Sequence, residues 1–436
     1  MKILLIGGGG REHAIAWRLK ASPSVTRIVC PNGNPGIARE AETPRAELAS
    51  PVAWAEYGAE MGADLVVIGP EQPLAEGVAD ACEAKGLRVF GPTKAGAEIE
   101  ASKAFAKDIM VSAGIPTAAS ETFSDATRAL DFAKSLGGRC VVKADGLAAG
   151  KGVAMCETLD DARAAIEENL TGHRFGASSA RIVIEEWLEG EEVSILALTD
   201  GEEVFPLVPS QDHKRAGEGD TGLNTGGMGA YAPVPWFGEE YLTSALSMVL
   251  RPAIAELRRR GIPYKGVLYA GLMVTKDGPK VLEFNCRFGD PETQVVLPLF
   301  EGDLGETMLA CAEGRLGKIL LPPHWQEGNA QTIGMRPDNA VVVVMASEGY
   351  PGTVRDGQPI HGLDAADGLS NAMIFHAGTT AGPNGEVLTK GGRVLGLTAW
   401  GRTLQSSLST VYDLAGRVSF DGGWLRRDIA HRALGK

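Results

Sequence analysis

Four apolar runs, at 2–6, 27–30, 64–68 and 87–90, punctuate the first 92 residues, and each is the length of a strand. Each stops at Gly or Pro, and the stretches between them at 11–21, 50–62 and 73–85 carry helical patterns. Strands that alternate with helices leave one economical solution, a parallel sheet with helices on both faces. In such sheets ligands collect at the carboxyl ends of the strands. Here those ends are 7–12, 31–36 and 69–71, all rich in Gly or Pro. Lys2 before an apolar run is also how a secretory signal starts, but this run is too short and ends in four glycines.

The texture then changes. A helix expected over 94–113 closes at Gly114 with Pro116 beyond it, an ordinary C-terminal signal. Strands are expected at 139–144, 152–156, 181–186, 192–199 and 203–209, with a helix at 159–170 among them. A polar, Gly-rich loop fills 210–230, a helix spans 238–260, and strands follow at 266–275 and 279–286. Residues 313–328 read as a connection. A third unit opens with the buried strand 341–345, continues as short strands with Gly turns, and ends in helices near 402–417 and 424–433. A length of 436 residues fits roughly three such domains.

Composition narrows the function. A net charge of −13 argues against nucleic acid as a partner, though local Lys and Arg still suit a phosphorylated small molecule. The six cysteines are scattered without metal-like spacing, which suits reduced thiols in a cytosolic protein. No apolar run approaches about 18 residues, so no membrane span is expected and the expected compartment is the cytoplasm.

Four segments carry chemistry. In 141–153 (VVKADGLAAGKGV) a strand delivers Lys143, and three glycines then surround Lys151. Glycines admit phosphate oxygens close to the backbone and lysines add charge, although a plain hairpin reads the same way. Lys151 is followed by Gly rather than Ser or Thr, so this is no P-loop. In 182–192 (IVIEEWLEGEE) a strand runs into acids around Trp187 and Leu188, which suits an adenine edge and ribose hydroxyls or simply an acidic turn. In 280–292 (KVLEFNCRFGDPE) strand alternation puts Leu282 and Phe284 on one face and Glu283, Asn285 and Arg287 on the other. A carboxylate and an amide oxygen two residues apart suit Mg²⁺ against ATP phosphates, and an arginine beyond them can brace a phosphoryl group. A solvated strand face is the alternative, disfavoured by Asn in a strand and by the turn that follows. The loop 210–231, with SQDHKR and NTGGMGAY, suits a sugar phosphate or an amino-acid carboxylate; a linker would be richer in Ser, Pro and Glu.

The order and spacing of these segments resemble the ATP-grasp enzymes, and the whole chain resembles the phosphoribosylamine–glycine ligase (glycinamide ribonucleotide synthetase) family. The matching residues are GGGGREHA at 7–14, GPEQPL at 69–74, KADGLAAGKG at 143–152, SQDHKR at 210–215, NTGGMGAY at 224–231, EFNCRFGDPETQ at 283–294 and HAGT at 376–379. The resemblance implies an α/β chain with an N-terminal parallel-sheet domain at 1–102. It implies a central α+β ATP-grasp domain at 103–312, with a mobile lid subdomain at about 116–190, and a small β-rich C-terminal domain at 325–436. It implies an ATP-dependent carboxylate–amine ligase of purine synthesis that joins glycine to 5-phospho-D-ribosylamine through glycyl phosphate. ATP would be held by Lys103, Lys143, Gly146, Leu147, Ala148, Ala149, Gly150, Lys151, Gly152, Glu185, Glu186, Trp187, Leu188 and Glu192. Glycine and phosphoribosylamine would be lined by Gly8, Gly9, Gly10, Arg11, Glu12, Asn32, Gly33, Asn34, Gly36, Pro70, Glu71, Asp212, Asn224, Thr225, Gly226 and Gly227. Glu283 and Asn285 would bind Mg²⁺ or Mn²⁺, while Arg287, Lys214 and Asp290 would act in catalysis, Asp290 facing an ammonium group. The strand 266–275 carries no acid, so only two protein ligands for the metal can be read. The expected partners are small molecules alone, for a monomer or weak dimer.

A dinucleotide-dependent oxidoreductase is the nearest rival reading, because a strand precedes Gly7-Gly8-Gly9-Gly10. The third glycine of that fingerprint is missing, since Glu12 or His13 stands there, and the second strand ends at Cys30-Pro31-Asn32 without an acid. Another ATP-grasp ligase or carboxylase is opposed by SQDHKR and NTGGMGAY. A non-catalytic ATP-binding regulator would have little use for the Glu283, Asn285 and Arg287 face.

Overall fold

The computed structural model of the chain describes residues 1–147, 152–172, 180–319 and 334–435. The four apolar runs form the parallel sheet Arg27–Val29, Lys2–Ile6, Leu65–Ile68 and Val89–Phe90, in that spatial order. Alternation along its strands feeds two cores, with Ile3, Leu5, Leu65 and Val67 in one and Leu4, Ile6, Val66 and Ile68 in the other. A sheet apolar on both faces must be covered on both, which is why these strands run together in parallel. The helical stretch 73–85 is two helices, Glu71–Glu76 and Val78–Ala84, divided at Gly77, whose φ of +92° costs a glycine nothing.

The helix expected over 94–113 is likewise two, Lys94–Ala101 and Lys103–Ser112. Ser102 leaves helical geometry at φ −132° and ψ 114° and caps the second helix by accepting from the Phe105 N–H. Beyond it lie two antiparallel sheets. One orders Ser120–Phe123, Ile182–Glu186, Cys140–Ala144 and Val153–Cys156, and packs its own small core with the helices Ala126–Ser135 and Leu159–Leu170. Ser120–Phe123 escapes sequence reading because only Phe123 of its four residues is buried. The other sheet orders Val204–Pro206, Glu191–Thr199, Gly266–Thr275 and Gly278–Asn285. The helix 238–260 forms, but it widens to a π turn at Leu246–Leu250, just before Pro252. Proline brings no N–H to the ladder, and the wider turn accommodates that.

A fourth sheet corrects the reading of 210–230 as loop. Gln211–Asp212 and Gly229–Ala232 are strands of the C-terminal sheet, which continues through Asn339–Ala346, Arg393–Gly401 and Ala372–His376. Between those two strands, Arg215–Gly217 and Thr221–Asn224 make a hairpin. The wholly buried helix Thr293–Leu299 packs against both Gly10–Lys20 and the C-terminal sheet and so ties the two ends of the chain together. Leu404–Ala415 appears as expected, whereas 424–433 is helical only at His431–Leu434. Ala430 sits at φ +67°, and the segment before it is pinned by Arg426 rather than wound. Among the described residues, no helix is long and apolar enough to cross a membrane.

Candidate active site

A cleft opens where these sheets meet, and one of its walls is cationic. Lys143 directs Nζ at Glu185 (2.9 Å) and donates to the Leu282 carbonyl (2.9 Å). Lys107 approaches the other Glu185 oxygen at 3.2 Å and donates to Thr117 Oγ1 at 2.7 Å. Lys103 donates to the Gly146 carbonyl at 3.2 Å. The break at Ser102 aims this wall, because the Ser102 hydroxyl (3.0 Å) and the Ala104 N–H (3.1 Å) both donate to Asp145 Oδ1. The start of the glycine loop is thereby moored to the first turn of Lys103–Ser112. Burial lowers the pKa of Lys103, which Glu283 only partly offsets, and brings Lys107 down to about 8 against the pull of Glu185. A desolvated wall of lysines suits a polyphosphate.

Glu283, Asn285 and Arg287 all line the cleft, on the one face that alternation gives them. Gly271 pairs with Glu283 and Leu272 with Val281, so Leu282 is the extra residue of a bulge. The expected Leu282–Phe284 face therefore fails at Leu282 alone: Val281 and Phe284 are the core residues, and Leu282 turns to the cleft. Glu283 forms no ion pair among the described residues. Arg287 is held by Glu100 (2.7 Å) and Glu71 (3.2 Å) and donates to Asn285 Oδ1 at 3.3 Å. Burial would lower the pKa of Arg287, but these two acids more than reverse it, so it is a permanent cation.

The far end of the cleft is mixed in charge. Lys214 Nζ lies 2.6 Å from Glu192 and 3.3 Å from Asp212. Burial drives Asp212 up to about 7, with Lys214 restraining the rise and Glu292 and Glu192 adding to it. Glu292 is buried and accepts from the Tyr269 hydroxyl at 2.7 Å. Asp290 is already engaged, by Arg393 at 3.0 Å and by the Gln294 amide at 2.8 Å. Burial alone would raise Asp290, but Arg393 and Arg11 hold it below the usual carboxylate range.

Of the residues singled out from the sequence, the cleft gathers Arg11, Glu71, Lys103, Gly146, Leu147, Gly152, Glu185, Asp212, Lys214, Thr225, Gly226, Glu283, Asn285, Arg287 and Asp290. Ala148, Ala149, Gly150 and Lys151 lie outside the described residues. Others do structural work beside the cleft. Glu12 accepts from the Gly9 N–H at 2.7 Å and packs so tightly that a Cβ on Gly69 would lie 2.2 Å from it. Asn34 donates to the Gly8 and His376 carbonyls, and Asn32 bonds both ways with the Ala46 backbone. Glu186 accepts from Lys280 and the Ala119 N–H, and Trp187 lies under the Arg139 guanidinium at 4.4 Å. Gly8, Gly9, Gly10, Gly33, Gly36, Pro70, Leu188, Asn224 and Gly227 do not line the cleft either, and Lys143 and Glu192 reach it only through their lining partners Glu185 and Lys214. Sequence reasoning missed Glu100, Lys107, Tyr269, Glu292 and Arg393. Lys107 had a signal, since it lies four residues after Lys103 on one helical face. Arg393 had none, because only the fold brings it to Asp290.

Comparison with known proteins assigns the whole architecture. Three family models match: phosphoribosylglycinamide synthetase N domain over residues 1–100, its ATP-grasp (A) domain over 101–293, and its C domain over 340–432. A phosphoribosylamine–glycine ligase of Nostoc sp. is 50% identical over 436 residues, covering 99% of each chain. The crystal structure of a phosphoribosylamine–glycine ligase from Thermotoga maritima superposes with a TM-score of 0.82 at 30% identity, over 99% of this chain and 100% of that one. Biotin carboxylase from Campylobacter jejuni shares the fold, with a TM-score of 0.73 at 15% identity over 98% of this chain and 93% of that one. With three domain models in sequence order and a full-length relative at half identity, the chain belongs to the phosphoribosylglycinamide synthetase family of ATP-grasp ligases.

Proposed function

We propose that the chain joins glycine to 5-phospho-D-ribosylamine, converting ATP to ADP and phosphate and giving glycinamide ribonucleotide for purine synthesis. One observation carries this: a single cleft has a lysine wall fit for the triphosphate at one end and, past Glu283, Asn285 and Arg287, a mixed-charge end fit for an amino acid and an amine. Glycine's carboxylate oxygen attacks the γ-phosphorus and ADP leaves, giving glycyl phosphate. The phosphoribosylamine nitrogen then attacks the acyl carbon, phosphate departs with the C–O bond electrons, and the nitrogen loses a proton. Lys103, Lys107 and Lys143 offset charge on the phosphates, and Arg287, fixed by two acids, steadies the transferring group. Lys214 and Asp212 orient the reactants at the far end.

Glu283 and Asn285 fit a divalent cation, since both offer hard oxygens to the cleft and Glu283 has no ion pair among the described residues. No cluster of three His, Cys, Asp or Glu side chains in those residues could hold a metal alone, so phosphate oxygens and water would complete the shell. Mg²⁺ or Mn²⁺ bound there would neutralise charge between the outer phosphates. The domain limits 1–102, 103–312 and 325–436 follow the same reading. The six cysteines are free and buried, as a reducing cytoplasm would keep them. The test is ADP release with Mg²⁺ and ATP, adding glycine and freshly generated phosphoribosylamine separately and together. Release that needs both, with glycinamide ribonucleotide as product, is expected; release that needs neither overturns the substrate assignment.

A further inference from the structure

Lys214 is the only lysine at the far end of the cleft among the described residues, yet its strand neighbours belong to the C-terminal sheet. Its own carbonyl accepts from the Thr225 N–H and hydroxyl at 2.7 and 2.9 Å, which closes the base of the Arg215–Gly217/Thr221–Asn224 hairpin. That hairpin has no apolar core of its own, and Leu223 is exposed. What holds it is the segment at 426–432. Arg426, only 1% exposed, donates to the Arg215 carbonyl at 2.9 Å, one residue from Lys214, and to Asp220 Oδ1 at 3.0 Å. Its other edge forms a two-point pair with Asp428 at 2.8 and 2.7 Å, and Asp428 also accepts from the Gly219 N–H. Arg432 takes the second oxygen of Asp220 at 2.7 Å.

We propose that Arg426 is a positioning residue that acts through Lys214, so that the C-terminal segment sets the geometry of the amine and amino-acid end of the cleft. A guanidinium suits this post because its rigid fork reaches a carbonyl and two carboxylates at once, which an ammonium cannot do. The proposal rests on the ligase reading above. It predicts a division of effects, because the phosphate wall of Lys103, Lys107 and Lys143 makes no contact with the hairpin in the hydrogen bonds and ion pairs described. Glu192, paired with Lys214 at 2.6 Å, is the one residue expected at ATP that touches this end, so ATP binding is compared in Arg426→Met, where Lys214 is retained.

The test is a double-mutant cycle on the full chain with Arg426→Met, Lys214→Met and both together. Turnover is measured against glycine and phosphoribosylamine, and equilibrium binding against ATP. Arg426→Met should lower kcat/KM for those two substrates by about tenfold or more while ATP binding stays within about twofold. In the Lys214→Met background it should cost less than about twofold further, because the residue it positions is gone. Arg426→Lys should recover little. Losses that multiply in the double variant, or a parallel loss of ATP binding, would overturn the proposal. Should Arg426→Met fail to fold, Asp220→Asn loosens the same hub with little change in shape and is held to the same outcomes. A wild type that needs neither substrate for ADP release refutes the ligase reading itself; multiplying losses in an active wild type refute only the positioning role.

Discussion

Glu185→Gln keeps the shape of the side chain and removes the charge that two buried lysines share. Glu185 is 3% exposed, with Lys143 at 2.9 Å and Lys107 at 3.2 Å. The two lysines respond differently. Lys143 is left without its carboxylate, and breaking a buried pair costs about 3–5 kcal/mol. Lys107 has an escape, because with a pKa of about 8 it sheds its proton at pH 7 for about 1.4 kcal/mol, which caps its share. By pH 9 Lys107 is already neutral in the wild type and its share falls almost to zero. The sign follows from the lowered pKa: Glu185 helps Lys107 only where Lys107 is charged, below about 8. The variant's deficit should therefore be about 3–6 kcal/mol at pH 7 and narrow by about 1 kcal/mol at pH 9. Urea titrations of both proteins at the two pH values, followed by far-ultraviolet circular dichroism, measure it. A deficit below about 1 kcal/mol, or one that widens as pH rises, would refute the reasoning.

Asp212, raised to about 7 by burial, binds its proton more tightly folded than unfolded between its ordinary 3.8 and 7, so wild-type stability falls as pH rises through that window. Asp212→Asn does not titrate and should gain on the wild type by a few kcal/mol from pH 4 to pH 7; melting curves showing the opposite trend would count against it. Gly36→Ala puts a Cβ 2.4 Å from His13 Cε1 and 2.6 Å from His376 Cγ, so overpacking should cost about 1–3 kcal/mol, and an unchanged melting temperature would dismiss the steric account. Glu283→Gln should cut turnover at least about a hundredfold with melting unchanged, and a near-normal rate would remove Glu283 from the metal site.

The N-terminal sheet was legible because each strand is a short apolar run between turn residues, and the gathering of Lys103, Glu185, Glu283, Asn285 and Arg287 at one cleft was legible because most of them cluster in short polar segments. What stayed hidden depends on long-range pairing. The backbone hydrogen bonds of Asn32 and Asn34 are invisible along the chain, because their partners come from other loops. Leu282 was assigned the wrong face because a bulge needs the partner strand, with Gly271 opposite Glu283, to be visible. The stretch 424–433 looked helical by pattern, yet Arg426 finds better partners across the chain, in Arg215 and Asp220, than a helix could give it.

The C-terminal sheet takes two of its five strands, Gln211–Asp212 and Gly229–Ala232, from more than a hundred residues upstream of Asn339–Ala346. During synthesis those strands leave the ribosome long before Asn339–Ala346, which pairs with Gly229–Ala232. Until it arrives, Gly229–Ala232 is an apolar edge with open backbone groups, the kind of surface chaperones bind and aggregates recruit. The bend that carries Lys214 is therefore among the last parts of the molecule to take shape. A nascent chain can assemble the lysine wall of its cleft first, but it cannot join two substrates until nearly all of it has been made.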